Sequence, residues 1–292
     1  MMLRSMLFVP GDSEKKLAKG ASCGADALIL DLEDAVAASR RPVAREMTRE
    51  YLKSADRSKG ELWVRMNPID SDDALKDLAA VVCARPDGIA IPKTESGADI
   101  LRLSHYLDAL EVEAGIPLGA VAIFAIATET AGAAFGLGTY KGVTPRLRAI
   151  TWGAEDLSAA LGASSNKGDD GQYTHPYVLA RSLCLYAAHH AEVQAIDTVL
   201  PDFRDSAKLK KECEDARRDG YTGKICIHPD QVAVINAAFS PTEAELAQAR
   251  AVIDAFAAQP DAGTLQLNGK MLDKPHLKQA ERIMALVDQA RR

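Results

Sequence analysis

Val121-Ala122-Ile123-Phe124-Ala125-Ile126-Ala127-Thr128-Glu129-Thr130-Ala131-Gly132 is the stretch on which the fold turns. An apolar, β-prone run passes directly into a polar segment carrying one carboxylate, Glu129. About a helix later the pattern returns: Leu147 to Trp152 is the apolar run, and Gly153-Ala154-Glu155-Asp156-Leu157 brings Asp156. A parallel α/β sheet or barrel places its active site at the carboxyl ends of its strands, where both acids stand. Two such carboxylates suit a hard divalent cation such as Mg²⁺, which takes one or two protein carboxylates and fills its other positions with water and substrate. The alternative is that Glu129 is a first-turn helix acid stabilised by the macrodipole and Asp156 a capping residue.

Working outward, β-prone runs occupy Leu3 to Val9, Ala27 to Leu30, Leu62 to Met66, Gly88 to Ile91, Val121 to Phe124, Ala149 to Trp152, Ala195 to Thr198 and Lys224 to Ile227. Amphipathic segments such as Ser13 to Ser22, Arg41 to Lys53 and Leu101 to Glu113 lie between them, with apolar residues at helical spacing. Short apolar strands separated by helices imply parallel pairing with both faces covered. Roughly eight such units match a closed (β/α)₈ TIM barrel, with an open doubly wound sheet as the alternative. After Pro229 the pattern changes to a helix from Asp230, then Thr242 as an N-cap, a helix to about Gln259, and a tail of strand and helix. The expected organisation is a barrel domain over residues 1–238 and a C-terminal extension over 239–292.

The chain has 292 residues, 47% of them hydrophobic, enough to bury a large core. A formal net charge of -6, with dispersed Lys and Arg, argues against a nucleic-acid partner. No apolar run approaches the roughly 20 residues of a membrane span, and no signal peptide is evident, so the expected location is the cytosol. Five widely spaced cysteines without a C-x-x-C pair indicate neither a disulfide framework nor a zinc site.

Other strand ends also carry charge. Leu30-Asp31-Leu32-Glu33-Asp34-Ala35-Val36 crowds three acids into four positions, which is costly unless a cation or an arginine balances them. They read equally as holders of a metal's waters or as helix caps. In Trp63-Val64-Arg65-Met66-Asn67-Pro68, alternation turns Arg65 toward the barrel interior, where it pairs with Asp31 or Glu33 or clamps a substrate carboxylate or enolate. Lys93, after Pro92, reads as an ion-paired lysine rather than a Schiff-base former, because acids are plentiful and a desolvated pocket is not evident. His228 stands before Pro229 at a strand end and is as readily packed as catalytic. His189 and His190 point about 100° apart on a helix and do not share a metal. Gly136 to Gly142 falls short of a dinucleotide fingerprint and reads as a turn.

Taken in order, Arg4-Ser5-Met6-Leu7-Phe8-Val9-Pro10-Gly11, Asp31 to Val36, Val64-Arg65-Met66-Asn67, Ile91-Pro92-Lys93, Glu129-Thr130-Ala131-Gly132, Gly153 to Leu157, Gly223 to Gln231 and Phe239-Ser240-Pro241-Thr242 resemble the citrate lyase β-subunit family. That family, within the HpcH/HpaI aldolase/citrate lyase superfamily, includes malyl-CoA and citramalyl-CoA lyases. The resemblance implies a homotrimeric or hexameric (β/α)₈ barrel that uses Mg²⁺ to make or break a C–C bond between an acyl thioester enolate and a 2-oxo acid. By resemblance Glu129 and Asp156 hold the metal, Arg65 and Glu129 bind the substrate, Arg65 stabilises the enolate, and Asp31, Glu33 and Asp34 support the metal's waters. The segment Gly269-Lys270-Met271-Leu272-Asp273 is similar to a lid that closes over a neighbouring subunit, with Asp273 as general acid/base. Lys16 and Lys19, with Lys15 and Arg41, are candidates for CoA phosphates or a solvated helix face.

The resemblance implies cleavage of a short 3-hydroxyacyl-CoA such as citramalyl-CoA or malyl-CoA. Two neighbouring readings stay open: a citrate lyase β-subunit acting on a carrier-protein thioester in a complex, and a non-catalytic acyl-CoA-binding protein. Metal-dependent pyruvate aldolases fit less well, because the base they carry after an early strand is a His and here the acids Asp31, Glu33 and Asp34 stand instead.

Overall fold

The computed structural model describes residues 2–290. Eight strands, β1 (Ser5–Pro10), β2 (Ala27–Asp31), β3 (Glu61–Arg65), β4 (Gly88–Ile91), β5 (Ala122–Ile126), β6 (Leu147–Thr151), β7 (Gln194–Asp197) and β8 (Gly223–Cys226), run parallel, each pairing with the next. The ladder closes where Ser5 of β1 stands opposite Lys224 and Met6 opposite Ile225, so the sheet is a closed barrel and not an open one. Every run named from the sequence overlaps one of these strands.

The intervening helices are α1 (Glu14–Gly20), α2 (Arg41–Ser54), α3 (Ala74–Val81), α4 (Gly97–Glu113), α5 (Ala133–Gly136), α6 (Ala154–Leu161), α7 (His175–Ala191), α8 (Ser206–Asp219) and α9 (Pro229–Phe239). The starts of α4 and α8 are written in the sequence: Ser96 and Asp99 form a capping box, and the Asp205 carboxylate accepts the Lys208 N–H at 2.9 Å. Between β6 and β7 the chain makes two helices, α6 and α7, joined by a polar loop over residues 162–174. No helix among the described residues is long and apolar enough to cross a membrane.

Successive strand residues point to opposite faces, and one parity fills the lumen. Met6, Ala27, Ile29, Trp63, Ala90, Phe124, Ala149, Ile196 and Ile225 pack there as one buried cluster. Trp63 lies across β4 so closely that a Cβ on Gly88 would sit 2.2 Å from its ring. The lumen is a packed core, and chemistry is left to the rim where the strands end.

The chain divides into two compact units, Leu3–Asn236 and the residues from Ala237 onward together with Met2. The second has its own core of Val252, Phe256, Leu265, Leu272 and Ala280. Its first helix, α10 (Glu243–Ala257), opens on a capping box in which Thr242 Oγ1 accepts the Glu245 N–H and Glu245 accepts the Thr242 N–H at 2.7 Å. A hairpin follows, β9 (Thr264–Leu267) and β10 (Lys270–Asp273), and then α11 (Lys274–Ala290). The sequence pattern predicts one strand here. The pair Asn268-Gly269, with φ of 50° and 76°, is the tight two-residue turn that makes it two.

Candidate active site

Asp31 and Arg65 end β2 and β3 and stand opposite each other in the ladder. Ile29 and Trp63 face the lumen, so the residues two further on sit over it. The guanidinium grips Asp31 in both directions, Nε to Oδ1 at 2.8 Å and Nη2 to Oδ2 at 2.6 Å. It stacks on the Phe8 ring, 4.5 Å from its centroid, and brings Nη1 to 2.9 Å from Glu33 Oε2. Burial alone would lower the Arg65 pKa; Asp31 and then Glu33 outweigh it, so the group stays fully charged. The Asp31 carboxylate also accepts the N–H groups of Glu33 at 2.9 Å and Ala35 at 3.1 Å, which folds the β2 loop around it. A carboxylate offers about four acceptor positions, and these are committed. Asp31 therefore holds Arg65 and the loop, leaving Glu33 and Asp34 as the loop's acids with capacity for a metal's waters.

After Pro92 ends β4, Lys93 takes a left-handed φ of 54°, unfavourable for a residue with a side chain. The turn aims the Lys93 N–H at Glu129 Oε2, 2.5 Å away. It also sends the ammonium among three carboxylates, Glu33, Asp34 at 3.4 Å and Asp156 at 3.3 Å. Burial would lower the Lys93 pKa, but Glu33 leads the acids that raise it, in keeping with an ion-paired lysine.

Glu129 is 4% exposed, in the loop after β5. Burial first, and then repulsion from Asp156 and Glu33, push its carboxyl up to about 8 against the opposing Lys93 N–H. Asp156, in the first turn of α6, is more open. The two loops approach each other through Gly153, where a Cβ would fall 2.6 Å from Glu129 Cγ. The Gly153 N–H donates to Thr128 Oγ1 at 3.1 Å and fixes the junction.

A carboxylate whose ionisation is opposed by burial and then by neighbouring acids is a group whose pKa a cation would reverse. Among the described residues no three or more His, Cys, Asp and Glu form a closed metal cage. A cation on Glu129 and Asp156 would complete its shell with water and substrate oxygens, as Mg²⁺ commonly does. The donor set fits that ion.

Of the remaining candidates, Lys16 and Lys19 lie on the exposed face of α1, while Arg41 is bound to Asp73 at 2.8 Å. His228 stacks on Phe203 and accepts the Asp230 N–H at Nδ1, a packed histidine. His189 Nε2 contacts the Gly220 carbonyl at 3.1 Å. Leu137–Thr139 form a 3₁₀ turn within the glycine-containing stretch. In the second unit Asp273 ends β10, with His276 Nδ1 2.5 Å from its Oδ1. Three contributors escaped the sequence reading: the Phe8 ring, the Lys93 backbone and Gly153. Only Gly153 carried a signal, a glycine directly after a strand-end tryptophan.

A closed parallel barrel that gathers acids and one clamped arginine at its strand ends has the layout of a barrel enzyme. Residues 4–229 match the HpcH/HpaI aldolase/citrate lyase family, and the chain belongs to it. It is 32% identical to the citrate lyase subunit beta of Leuconostoc mesenteroides subsp. cremoris, covering 98% of this chain and 93% of that one. It is 34% identical to the mitochondrial citramalyl-CoA lyase of Mus musculus, covering 97% and 85%. A crystal structure of CitE from Mycobacterium tuberculosis, in complex with magnesium, acetoacetate and coenzyme A, superposes with a TM-score of 0.78 at 32% identity over 97% of each chain. The protein is a lyase of this superfamily.

Proposed function

We propose that the protein is a Mg²⁺-dependent carbon–carbon lyase that cleaves, or in reverse forms, a short 3-hydroxyacyl-CoA such as citramalyl-CoA or malyl-CoA, giving an acyl-CoA and an oxo acid. The observation that carries this is the meeting of Glu129 and Asp156 beside the clamped guanidinium of Arg65. The mycobacterial neighbour, crystallised with magnesium, an oxo acid and coenzyme A, supports the ligand classes.

Mg²⁺, held by Glu129 and Asp156, supplies Lewis-acid polarisation of substrate oxygens. The chain's own residues do the rest. Glu33 and Asp34 hold the ion's waters. Glu129 and Arg65 orient the 2-hydroxy acid portion. The Asp273 carboxylate takes the hydroxyl proton, the C–C electron pair passes to the thioester side, and an enolate forms, leaving Asp273 with the proton it returns. Arg65, immobilised by Asp31 and Phe8, presents a fixed positive charge where the enolate oxygen develops and needs no reorganisation to do so. Asp273 delivers a proton to the enolate carbon. In this proposal residues 1–238 form the catalytic barrel, and 239–292 an extension whose hairpin acts as a lid on a neighbouring subunit of a trimer or hexamer. Lys16 and Lys19 meet the CoA phosphates, and the enzyme works in the cytosol.

The test is release of oxo acid from malyl-CoA, citramalyl-CoA, citryl-CoA and 3-hydroxy-3-methylglutaryl-CoA, with Mg²⁺ and with EDTA. Mg²⁺-dependent turnover of one of them supports a free-standing lyase and names its substrate. Silence across the panel overturns it in favour of a carrier-protein substrate, the reading that the likeness to a citrate lyase subunit keeps in view, or of a non-catalytic acyl-CoA binder. Copurification with carrier and transferase subunits separates those two.

A further inference from the structure

β7 and β8 repeat the pairing of Asp31 with Arg65, but on the other face of the sheet. Asp197 and Lys224 are register partners, and because their neighbours Ile196 and Ile225 fill the lumen, these two charges point outward, beneath α7 and α8. A cavity of about 260 Å³ lies there, with Trp152, Arg181, Asp197 and Lys224 at its floor and the 162–174 loop contributing Lys167 and Tyr173 to its wall.

The floor is short of an acceptor. Asp197 is satisfied: its Oδ1 accepts Trp152 Nε1–H at 2.6 Å and Arg181 Nε–H at 3.2 Å. Lys224 is not. Its side chain is 1% exposed, yet its ammonium reaches Asp197 Oδ2 only at 3.5 Å and Glu212 Oε2 only at 3.4 Å. Charge-assisted bonds run to about 2.7–2.9 Å, and an ammonium has three N–H donors to place. The cavity wall holds five basic and three acidic side chains, a surplus of two positive charges. The acids are engaged: Glu212 with Lys224, Asp197 with Trp152 and Arg181, and Asp215 with Lys211 at 2.9 Å and Arg218 at 2.7 Å. The Lys208 ammonium has no carboxylate partner among the described residues.

We infer that this cavity is a second binding site, outside the barrel wall, for a small metabolite bearing a carboxylate or phosphate. The oxyanion sits against Lys224 and the side of Arg181 not committed to Asp219 at 2.8 Å, where it supplies Lys224 with a closer acceptor. Lys167 and Lys208 close over it from the rim. The edge-to-face pair Trp152 and Tyr173, 5.1 Å between centroids, gives a short apolar body a wall to lie on. The volume lies just below the roughly 300 Å³ at which drug-sized pockets begin, which suits a small ligand. The inference does not depend on the proposed lyase reaction, since the cavity and the strand-end site lie on opposite faces of the sheet.

The chain has two tryptophans, Trp63 in the lumen and Trp152 in this cavity, so Trp63→Phe leaves Trp152 as the sole reporter. The full-length protein is titrated with inorganic phosphate and with succinate at constant ionic strength, following Trp152 fluorescence in that variant and the Tm of the unmodified protein. Saturable responses in the millimolar range or tighter are expected. The ion that binds more tightly tells phosphate from carboxylate. Lys224→Met should weaken binding at least tenfold. If that variant does not fold, the double variant of the rim lysines, Lys167→Ala with Lys208→Ala, should still weaken it several-fold, while Arg65→Lys at the barrel mouth leaves it unchanged. No saturable response to either ion, a response that survives both lysine changes, or one abolished by Arg65→Lys would overturn the inference.

Discussion

Asp31 and Arg65 meet at the last rung between β2 and β3, and their two-pronged contact at 2.8 and 2.6 Å is a product of strand register rather than of loop conformation. The pair is buried, so removing one charge leaves the other uncompensated. Asp31→Asn should lower stability by about 3 kcal/mol, which is roughly 6–12 °C in Tm for a barrel of this size. Thermal unfolding checks it. An unchanged Tm would mean that Glu33 alone balances Arg65.

Gly153 is the point at which the Glu129 and Asp156 loops touch. Gly153→Ala should push Glu129 aside and weaken Mg²⁺ binding by about tenfold or more, since a displacement of a few tenths of an ångström to 1 Å spoils a carboxylate's reach to a small ion. Calorimetric titration with MgCl₂ measures this. Affinity that stays put would show that Glu129 retreats without cost.

Lys93 stands among acids that a metal would also neutralise. Lys93→Met removes that competing cation and leaves the carboxylates to repel one another. The metal-free variant should melt several degrees below the unmodified protein, and Mg²⁺ should raise its Tm by more than it raises the unmodified protein's. A smaller Mg²⁺ effect in the variant would count against Lys93 as a competitor and for a direct role in the metal site.

Asp197 is fully buried, which alone would raise its pKa, yet Lys224, Arg181 and the Trp152 N–H outweigh burial and hold it below the usual range. A carboxyl depressed in the folded state adds stability that is fully present above its unfolded value of about 3.9 and is lost as pH falls through the folded value. Lys224→Met removes the largest of the opposing charges, so its acid-unfolding midpoint should lie at higher pH, by about half a unit. Circular dichroism against pH reads it. A midpoint in the same place would assign the stabilisation to Arg181.

Much of this was legible because parallel strands announce themselves as short apolar runs. Alternation from Trp63 placed Arg65 over the lumen, and Thr242 as an N-cap marked the helix after the barrel. What escaped depends on geometry that no local pattern encodes. The left-handed backbone at Lys93 is adopted by a residue that disfavours it, so nothing in Pro92-Lys93-Thr94 points to an N–H aimed at Glu129. The three acids after β2 read as equivalent, yet the fold separates them: Asp31 saturated and buried, Glu33 wedged between Arg65 and Lys93, Asp34 half in solvent. The side-chain partners that make that division, Arg65 and Lys93, stand more than thirty positions away.

The charged side chains gathered at the barrel mouth, Asp31, Glu33 and Asp34, Arg65, Lys93, Glu129 and Asp156, stand at or just after the ends of five consecutive strands, β2 to β6. The rim is therefore divided by task around its circumference. Under the proposed function the loops leaving β7 and β8 carry none of these groups, so changes there are expected to alter what the mouth admits while leaving those groups in place. A rim built this way leaves one sector free to vary while the charged one is held.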